Sequence, residues 1–167
     1  MNYDRVFFFI VAGVAILSAV FTVTRRNPVK SVLFLIVNFF CLALLYLSLH
    51  AQFIAILQIL VYAGAIMVLF LFVIMLLNLG DERALTEKVT VQRILGLVFG
   101  GVILVQLVFF FSATGLTPLP EPGGDFGSVE SIGRALFRDY LIPFEVTSIL
   151  LLAALVGVIV MAKKKLH

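Results

Sequence analysis

The sequence predicts an all-α integral membrane protein with five transmembrane helices. Of its 167 residues, 63% are apolar and 13% are charged, whereas soluble globular proteins have about 45–50% apolar and about 25% charged residues. A chain of this length has too little polar surface to cover so much apolar area in water, so its surroundings must be lipid. We therefore interpret residues 1–167 as a single membrane domain.

Five apolar segments reach the length of about 20 residues that a helix needs to cross a hydrocarbon core about 30 Å thick. They are residues 6–24, 31–49, 53–79, 94–113 and 141–162. The charges of Asp4 and Arg5 cancel before the first segment, and that segment lacks the small-residue cleavage site of a signal peptide. We expect it to be a retained helix.

The first two connections are short. Asn27-Pro28 suits a turn, because proline disfavours helix in the residue before it. Between Lys30 and Asp81 the chain has no Asp, Glu, Lys or Arg. This stretch therefore predicts a hairpin of two buried helices.

The one long connection, residues 114–140, joins the fourth and fifth spans. Its first half is rich in proline and glycine. Its second half has apolar residues at helical spacing, namely Val129, Ile132, Ala135 and Leu136. We expect a short helix there that lies on the membrane surface or on a partner.

The distribution of Lys and Arg predicts the orientation. An odd number of spans places the termini on opposite sides. The side with the first and third connections and the C-terminus carries Arg25, Arg26, Lys30, Arg83, Lys88, Arg93 and Lys163 to Lys165, and the other side carries Arg5, Arg134 and Arg138. Cytoplasmic loops carry an excess of Lys and Arg. The N-terminus is therefore expected outside, the C-terminus in the cytoplasm, and the long loop outside.

Residues for catalysis or metal binding are scarce. Cys41 is the only cysteine, and the two histidines are His50 and His167. One thiol cannot make a four-thiolate iron–sulfur or zinc site, so we expect no cofactor in this chain. Asp125 to Gly127 read "DFG" but lack the rest of the kinase signature. The net charge of +3 gives no indication of nucleic acid binding.

Two polar residues within the spans are candidates for buried polar contacts. Asn38 lies in the middle of the second span, where a hydrogen bond between helices is the expected role. Glu145 is the only acid within an apolar span, and an intramembrane carboxylate is a candidate functional residue. It also lies close to the start of the fifth span, where a hydrated carboxylate would favour the helix dipole. Both interpretations of Glu145 remain open.

The third span is longer than a membrane requires. As a straight α-helix it would extend about 40 Å, and it contains Gln58, Tyr62 and Gly64. Tyr62 lies about 14 Å deep, so its hydroxyl needs a protein partner or an internal water. Ala63, Gly64 and Ala65 remove side-chain bulk at the same level. Static close packing and a helix that changes its winding both explain this pattern.

Three blocks of sequence resemble, in order, successive parts of subunit J of the bacterial respiratory complex I, the NADH:quinone oxidoreductase. The mitochondrial counterpart of that family is the sixth mitochondrially encoded membrane subunit. The blocks are RNPVKSVLFLIVNFF, ILQILVYAGAIMVLFLFVIMLLNLG and IGRALFRDYLIPFEVTSILLLAALVG. The resemblance covers nearly all of the chain, and VYAGAIMVLFLFV is its most specific part.

The resemblance implies a core membrane subunit of a hetero-oligomeric, proton-pumping enzyme in the bacterial inner membrane. Such a subunit lies between the quinone-site subunit and the antiporter-like subunits. It has no cofactor of its own, while FMN, iron–sulfur clusters and quinone are bound by partner subunits.

In this family the third helix is associated with a π-bulge near the Tyr-Ala-Gly block, and its conversion to α-helix is thought to open or break a water path for protons. Carried over, the gating residues are Tyr62, Ala63, Gly64 and Ala65, with Val68 and Phe72 further along. We therefore expect a wide turn close to Tyr62–Val68.

The chain departs from the family at one position. Some members have Glu where this chain has Gln58, which cannot hold a charge. A proton relay here must use water, Tyr62 or carboxylates of partner subunits. Two alternatives remain: a subunit of a related antiporter or membrane-bound hydrogenase complex, and a purely structural assembly subunit. A stand-alone transporter is disfavoured because the spans contain a single acid.

Overall fold

The computed structural model describes residues 3–77, 90–113 and 127–163, and of residues 90–93 it describes the backbone only. All the regular structure in these ranges is helical. Five of the helices in the described ranges are long and apolar enough to cross a membrane. The predicted fold class, an all-α multi-pass membrane protein with five spans, is confirmed.

The helices follow the predicted order. The first two are α1, Tyr3–Thr24, and α2, Pro28–Ser48. The third span consists of α3, Gln52–Leu57, then a π-helix, Gln58–Ile66, then α4, Met67–Leu76. The remaining helices are α5, Thr90–Ala113, α6, Val129–Arg138, and α7, Leu141–Ala162. The first half of the predicted outer loop, residues 114–126, lies outside the described residues.

The α1–α2 turn is shorter than the sequence predicted, because α2 begins at Pro28 and not at residue 31. Asn27 is the N-cap, and its side-chain oxygen accepts a hydrogen bond from the Lys30 N–H at 3.1 Å. Proline at the first helical position lacks an N–H that would be unpaired there anyway. The first turn of α2 therefore includes the charged Lys30, which an apolar pattern leaves out.

The helices form two units. In the first unit, α1 and α2 pack as a hairpin, and α2 also contacts all three parts of the third span. Several of the buried side chains in this unit are small, including Ala43, Ala55 and Ala63, so the helices approach each other closely. The second unit contains α5.

The short helix predicted in the long connection is α6. Its N-cap is Ser128, whose hydroxyl oxygen accepts a hydrogen bond from the Ser131 N–H at 3.2 Å. Helix α6 contacts α3 and α7, and the rings of Phe137 and Phe144 meet edge to face at 5.0 Å. Helix α7 has no buried residue and contacts only α6 among the described helices of its unit.

Candidate functional site

The π-helix occupies the middle of the third span, at the Tyr-Ala-Gly block. The expected wide turn is thus present, although it covers Gln58–Ile66 and leaves Val68 in α4. A π-helix pairs each N–H with the carbonyl five residues back; it is a rare structure and is frequently found at functional sites. The π-helix is therefore the centre of the candidate site.

Where the π-helix meets α4, the Met67 N–H passes over the carbonyl four residues back. The Met67 N–H donates to the carbonyl oxygens of Tyr62 and Gly64. In an α-helix its acceptor would be the Ala63 oxygen, four residues back. Ala63 is buried, with 6% of its surface exposed. In a membrane, a carbonyl passed over in this way must be met by a neighbouring helix or by water.

Gly64 lies against its own helix. A Cβ built on Gly64 would be 3.3 Å from the carbonyl oxygen of Ile59, five residues back, and no second atom outside its immediate helix backbone is within 4 Å. The sequence predicted that Gly64 makes room for close contact with other protein. Ile59 is five residues back and its carbonyl is the π-helical acceptor of the Gly64 N–H, so every Cβ in this π-helix lies at a similar distance from such a carbonyl. Whether Gly64 admits a neighbouring subunit stays a prediction.

Gln58 and Ala63 share the buried face of the third span with Ala55 and Met67. The five-residue step from Gln58 to Ala63 follows from the wider π turn, which keeps both on one face. In an α-helix, residues five apart would differ in direction by about 140°. The buried face of this span is thus matched to the π winding.

The Gln58 amide is available to a partner outside this chain. The residue is 7% exposed, yet its amide forms no hydrogen bond with another described residue. Every fully buried side-chain nitrogen or oxygen in the described ranges has a partner. The amide therefore reaches the surface of the chain, where water or a polar group of another subunit can meet it.

Tyr62 is held by its ring and not by its hydroxyl. The ring meets Phe39 of α2 edge to face, with centroids 5.7 Å apart. Tyr62 is 48% exposed, and its hydroxyl makes no hydrogen bond within the described part of the chain. The partner that the sequence requires for this hydroxyl must come from water or from another subunit.

A polar contact joins α1 and α2 at the residue before Phe39. The Asn38 amide donates to the Ala15 carbonyl at 2.7 Å and to the Ser18 hydroxyl at 3.2 Å, which confirms the predicted hydrogen bond between helices. Asn38 and Phe39 are adjacent, so α2 faces α1 with one residue and the π-helix with the next. Sequence reasoning missed the roles of Ser18 and Phe39, since neither residue type is unusual in a membrane helix.

The remaining candidate residues are not gathered at one point. Ala65 belongs to the π-helix and is exposed, and Val68 and Phe72 lie on the exposed surface of α4. Glu145 is on α7, which does not contact the third span, and its carboxylate is exposed. Within this unit, therefore, Glu145 is separate from the residues of the π-helix.

Comparison with known proteins places these features in a family. A family model described as NADH-ubiquinone/plastoquinone oxidoreductase chain 6 matches residues 18–161. The chloroplastic NAD(P)H-quinone oxidoreductase subunit 6 of Staurastrum punctulatum is 44% identical over 142 residues, which cover 83% of this chain and 78% of the relative.

Two prokaryotic relatives are similar over most of their length. NADH-quinone oxidoreductase subunit J of Pseudomonas aeruginosa is 38% identical over 154 residues, covering 90% of this chain and 91% of the relative. F(420)H(2) dehydrogenase subunit J of Methanosarcina mazei is 39% identical over 158 residues, covering 93% and 89%. The chain belongs to the family of NADH-ubiquinone/plastoquinone oxidoreductase chain 6, which includes subunit J of complex I.

Proposed function

We propose that this chain is a core membrane subunit of a proton-translocating quinone oxidoreductase, in which the π-helix Gln58–Ile66 gates a proton path. The observation that carries the proposal is the π winding at the Tyr-Ala-Gly block. FMN, iron–sulfur clusters and quinone belong to partner subunits, among them the quinone-site and antiporter-like subunits. The membrane is the bacterial inner membrane.

The gate consists of two windings of one helix. Rewinding from π to α rotates one end against the other by about 100° and shifts it by about 1.5 Å, the change that one residue makes in an α-helix. The Met67 N–H then returns to the Ala63 carbonyl, and Gln58 and Ala63 no longer share a face. Val68 and Phe72 of α4 change their neighbours in the same movement.

Proton transfer through this region depends on water. Gln58 carries no charge, so it orients water or a partner's polar group and does not itself titrate. The Gln58 amide, the Tyr62 hydroxyl and the passed-over Ala63 carbonyl supply hydrogen-bonding groups at successive levels of one helix. Glu145 belongs to the path only through groups of other subunits, since α7 does not contact the third span.

The test is Gly64→Val in the assembled complex. A β-branched residue stiffens the helix against rewinding, and its bulk fills a position where glycine allows another helix to approach closely. Overpacking costs about 1–3 kcal/mol, so we expect coupled quinone reduction and proton pumping to fall about tenfold or more. Oxidation of the electron donor with a water-soluble artificial acceptor should be unchanged.

Gly13→Val in α1 is the control, because a Cβ at Gly13 has no atom of the described residues within 4 Å beyond its own helix backbone. It should assemble and pump at the parental rate. If Gly64→Val also pumps at that rate, the third span has no gating role. If it does not assemble, Gly64→Ala, which adds only the Cβ, replaces it in the same measurements.

A second candidate is a subunit of a related complex with another electron donor. The similarity to F(420)H(2) dehydrogenase subunit J supports this second candidate, because the name of that relative gives a different electron donor. Purification in mild detergent and identification of the bound electron-input subunits distinguishes the two. A purely structural role predicts that variants of the third span lose assembly and not pumping.

A further inference from the structure

The turn between α2 and α3 has an unusual backbone. His50 has a φ of 59°, in the left-handed region that glycine normally occupies. The His50 N–H donates to the Leu47 carbonyl at 3.0 Å, and the Ala51 N–H donates to the Tyr46 carbonyl at 2.9 Å. This pair of bonds is the Schellman motif, which ends a helix sharply. The end of α2 and the start of α3 are thereby fixed together.

The N-terminus of helix α3 is capped by a backbone carbonyl from a distant part of the chain. Its N-cap residue, Ala51, has no side-chain acceptor. The N–H of Phe53 instead donates to the carbonyl of Gly127 at 3.3 Å. A first-turn N–H has no acceptor within its own helix. The segment that leads into α6 therefore supplies the carbonyl acceptor that the sequence around α3 does not provide.

Gly127 permits this contact because it has no side chain. Its φ is +74°, which L-residues rarely adopt. A Cβ at Gly127 would overlap the His50 carbonyl oxygen and lie 3.1 Å from the Ala51 Cα. The backbones at residues 50–51 and 127 therefore touch directly, and α3 is held from two sides.

We propose that Gly127 is a positioning residue that anchors α3, so that rewinding of the π-helix turns α4 and leaves α3 in place. The proposal rests on the gating function above. Rewinding requires one end of the span to rotate against the other. Helix α3 contacts α2 and α6, whereas α4 contacts only α2 and the π-helix among the described elements. The end that is held from two sides stays in place.

The first test uses hydrogen–deuterium exchange of the assembled parental complex, with and without electron donor and quinone. We expect exchange in the α4 peptides to change by about fivefold or more during turnover, and exchange in the α3 peptides to stay constant. An equal change in α3 would overturn the anchor while leaving the gate in place. No change in either helix would show that no rewinding occurs, and both proposals would fail.

The second test compares Gly127→Ala with Gly133→Ala in α6, where a Cβ has no atom within 4 Å. Losing a helix cap costs about 1 kcal/mol, so Gly127→Ala should speed exchange in α3 about fivefold. Coupled quinone reduction should fall while the rate with a water-soluble acceptor is retained. Gly133→Ala should change neither.

Either of two results with Gly127→Ala would contradict the anchor. Unchanged exchange in α3 would show that Gly127 does not hold it. Faster exchange with normal coupling would show that the contact is structural and does not position the gate. If the variant does not assemble, the exchange experiment on the parental complex decides alone.

Discussion

Tyr62 makes two separate contributions, one through the packing of its ring and one through its hydroxyl group. Its ring is in contact with Phe39 at 5.7 Å, so the aromatic ring contributes to the packing of the π-helix against α2. Its hydroxyl has no partner in the described residues and is left for water or another subunit. Replacing the residue with phenylalanine removes only the second contribution.

We predict that Tyr62→Phe is milder than Gly64→Val. The lost hydrogen bond is worth about 0.5–1.5 kcal/mol, so coupled quinone reduction should fall by less than about tenfold, with normal assembly. The measurement is the coupled rate in membranes, normalised to the rate with an artificial acceptor. Tyr46→Phe in α2 is the control and should have no effect. A loss as large as that of Gly64→Val would instead make the Tyr62 hydroxyl an obligatory part of the path.

At the scale of elements, sequence patterns predicted each span but not the details of its ends. Surplus length, the Ala63-Gly64-Ala65 level and the resemblance to subunit J together predicted a wide turn close to Tyr62–Val68, and the π-helix covers Gln58–Ile66. The difference arises because the placement of a π turn depends on neighbours. The contact between Tyr62 and Phe39 joins two helices, and the pattern within one helix does not reveal it.

The backbone contact between Gly127 and the start of α3 could not be predicted from the sequence, for a related reason. The residues around Gly127 offered only a chance likeness to a kinase motif, while its contacts are with backbone atoms at His50 and Ala51. A left-handed histidine has no sequence signal, because glycine is the usual residue at that position of a helix end. Composition and periodicity predict where the helices lie. Contacts between backbone segments that are distant in sequence can be identified only from the folded structure.

The left-handed His50 leads to a prediction about the α2–α3 turn. Holding an L-residue in this conformation costs about 1–2 kcal/mol of folding free energy. Replacing it with glycine removes this cost, but the greater freedom of glycine in the unfolded chain offsets part of the gain. We expect His50→Gly to raise the midpoint of thermal unfolding of the detergent-solubilised protein by about 2 °C. His50→Ala also removes the imidazole but keeps the Cβ, so it should give no gain. Equal midpoints of the two variants would show that the strain is no larger than the entropic cost of glycine, and a lower midpoint for His50→Gly than for His50→Ala would show that the turn carries no strain.

At the scale of the whole molecule, the basic residues indicate the orientation. In the α1–α2 turn, the Arg25 guanidinium lies 4.8 Å from the centre of the Phe21 ring and 5.5 Å from that of Phe34. Such contacts with aromatic faces are attractive, and they hold this charge at the end of the α1–α2 hairpin. The long connection at the opposite end has α6, where Arg134 is paired with Glu130 at 2.6 Å. By the count over the sequence, Lys and Arg are more numerous on the side predicted to carry the α1–α2 turn than on the side predicted to carry α6.

We predict that the α1–α2 turn and the C-terminus face the cytoplasm, because Lys and Arg accumulate in cytoplasmic loops. The test places single cysteines at Glu130 and at Lys164 in a Cys41→Ser background and treats spheroplasts with a membrane-impermeant thiol reagent. Glu130 is suitable because its exposed ion pair with Arg134 contributes only about 0–1 kcal/mol. Labelling is expected at 130 and protection at 164, with both positions labelled after permeabilisation. The reverse labelling pattern would contradict the predicted orientation of the five described spans. Gly127 would then lie on the cytoplasmic side of the π-helix.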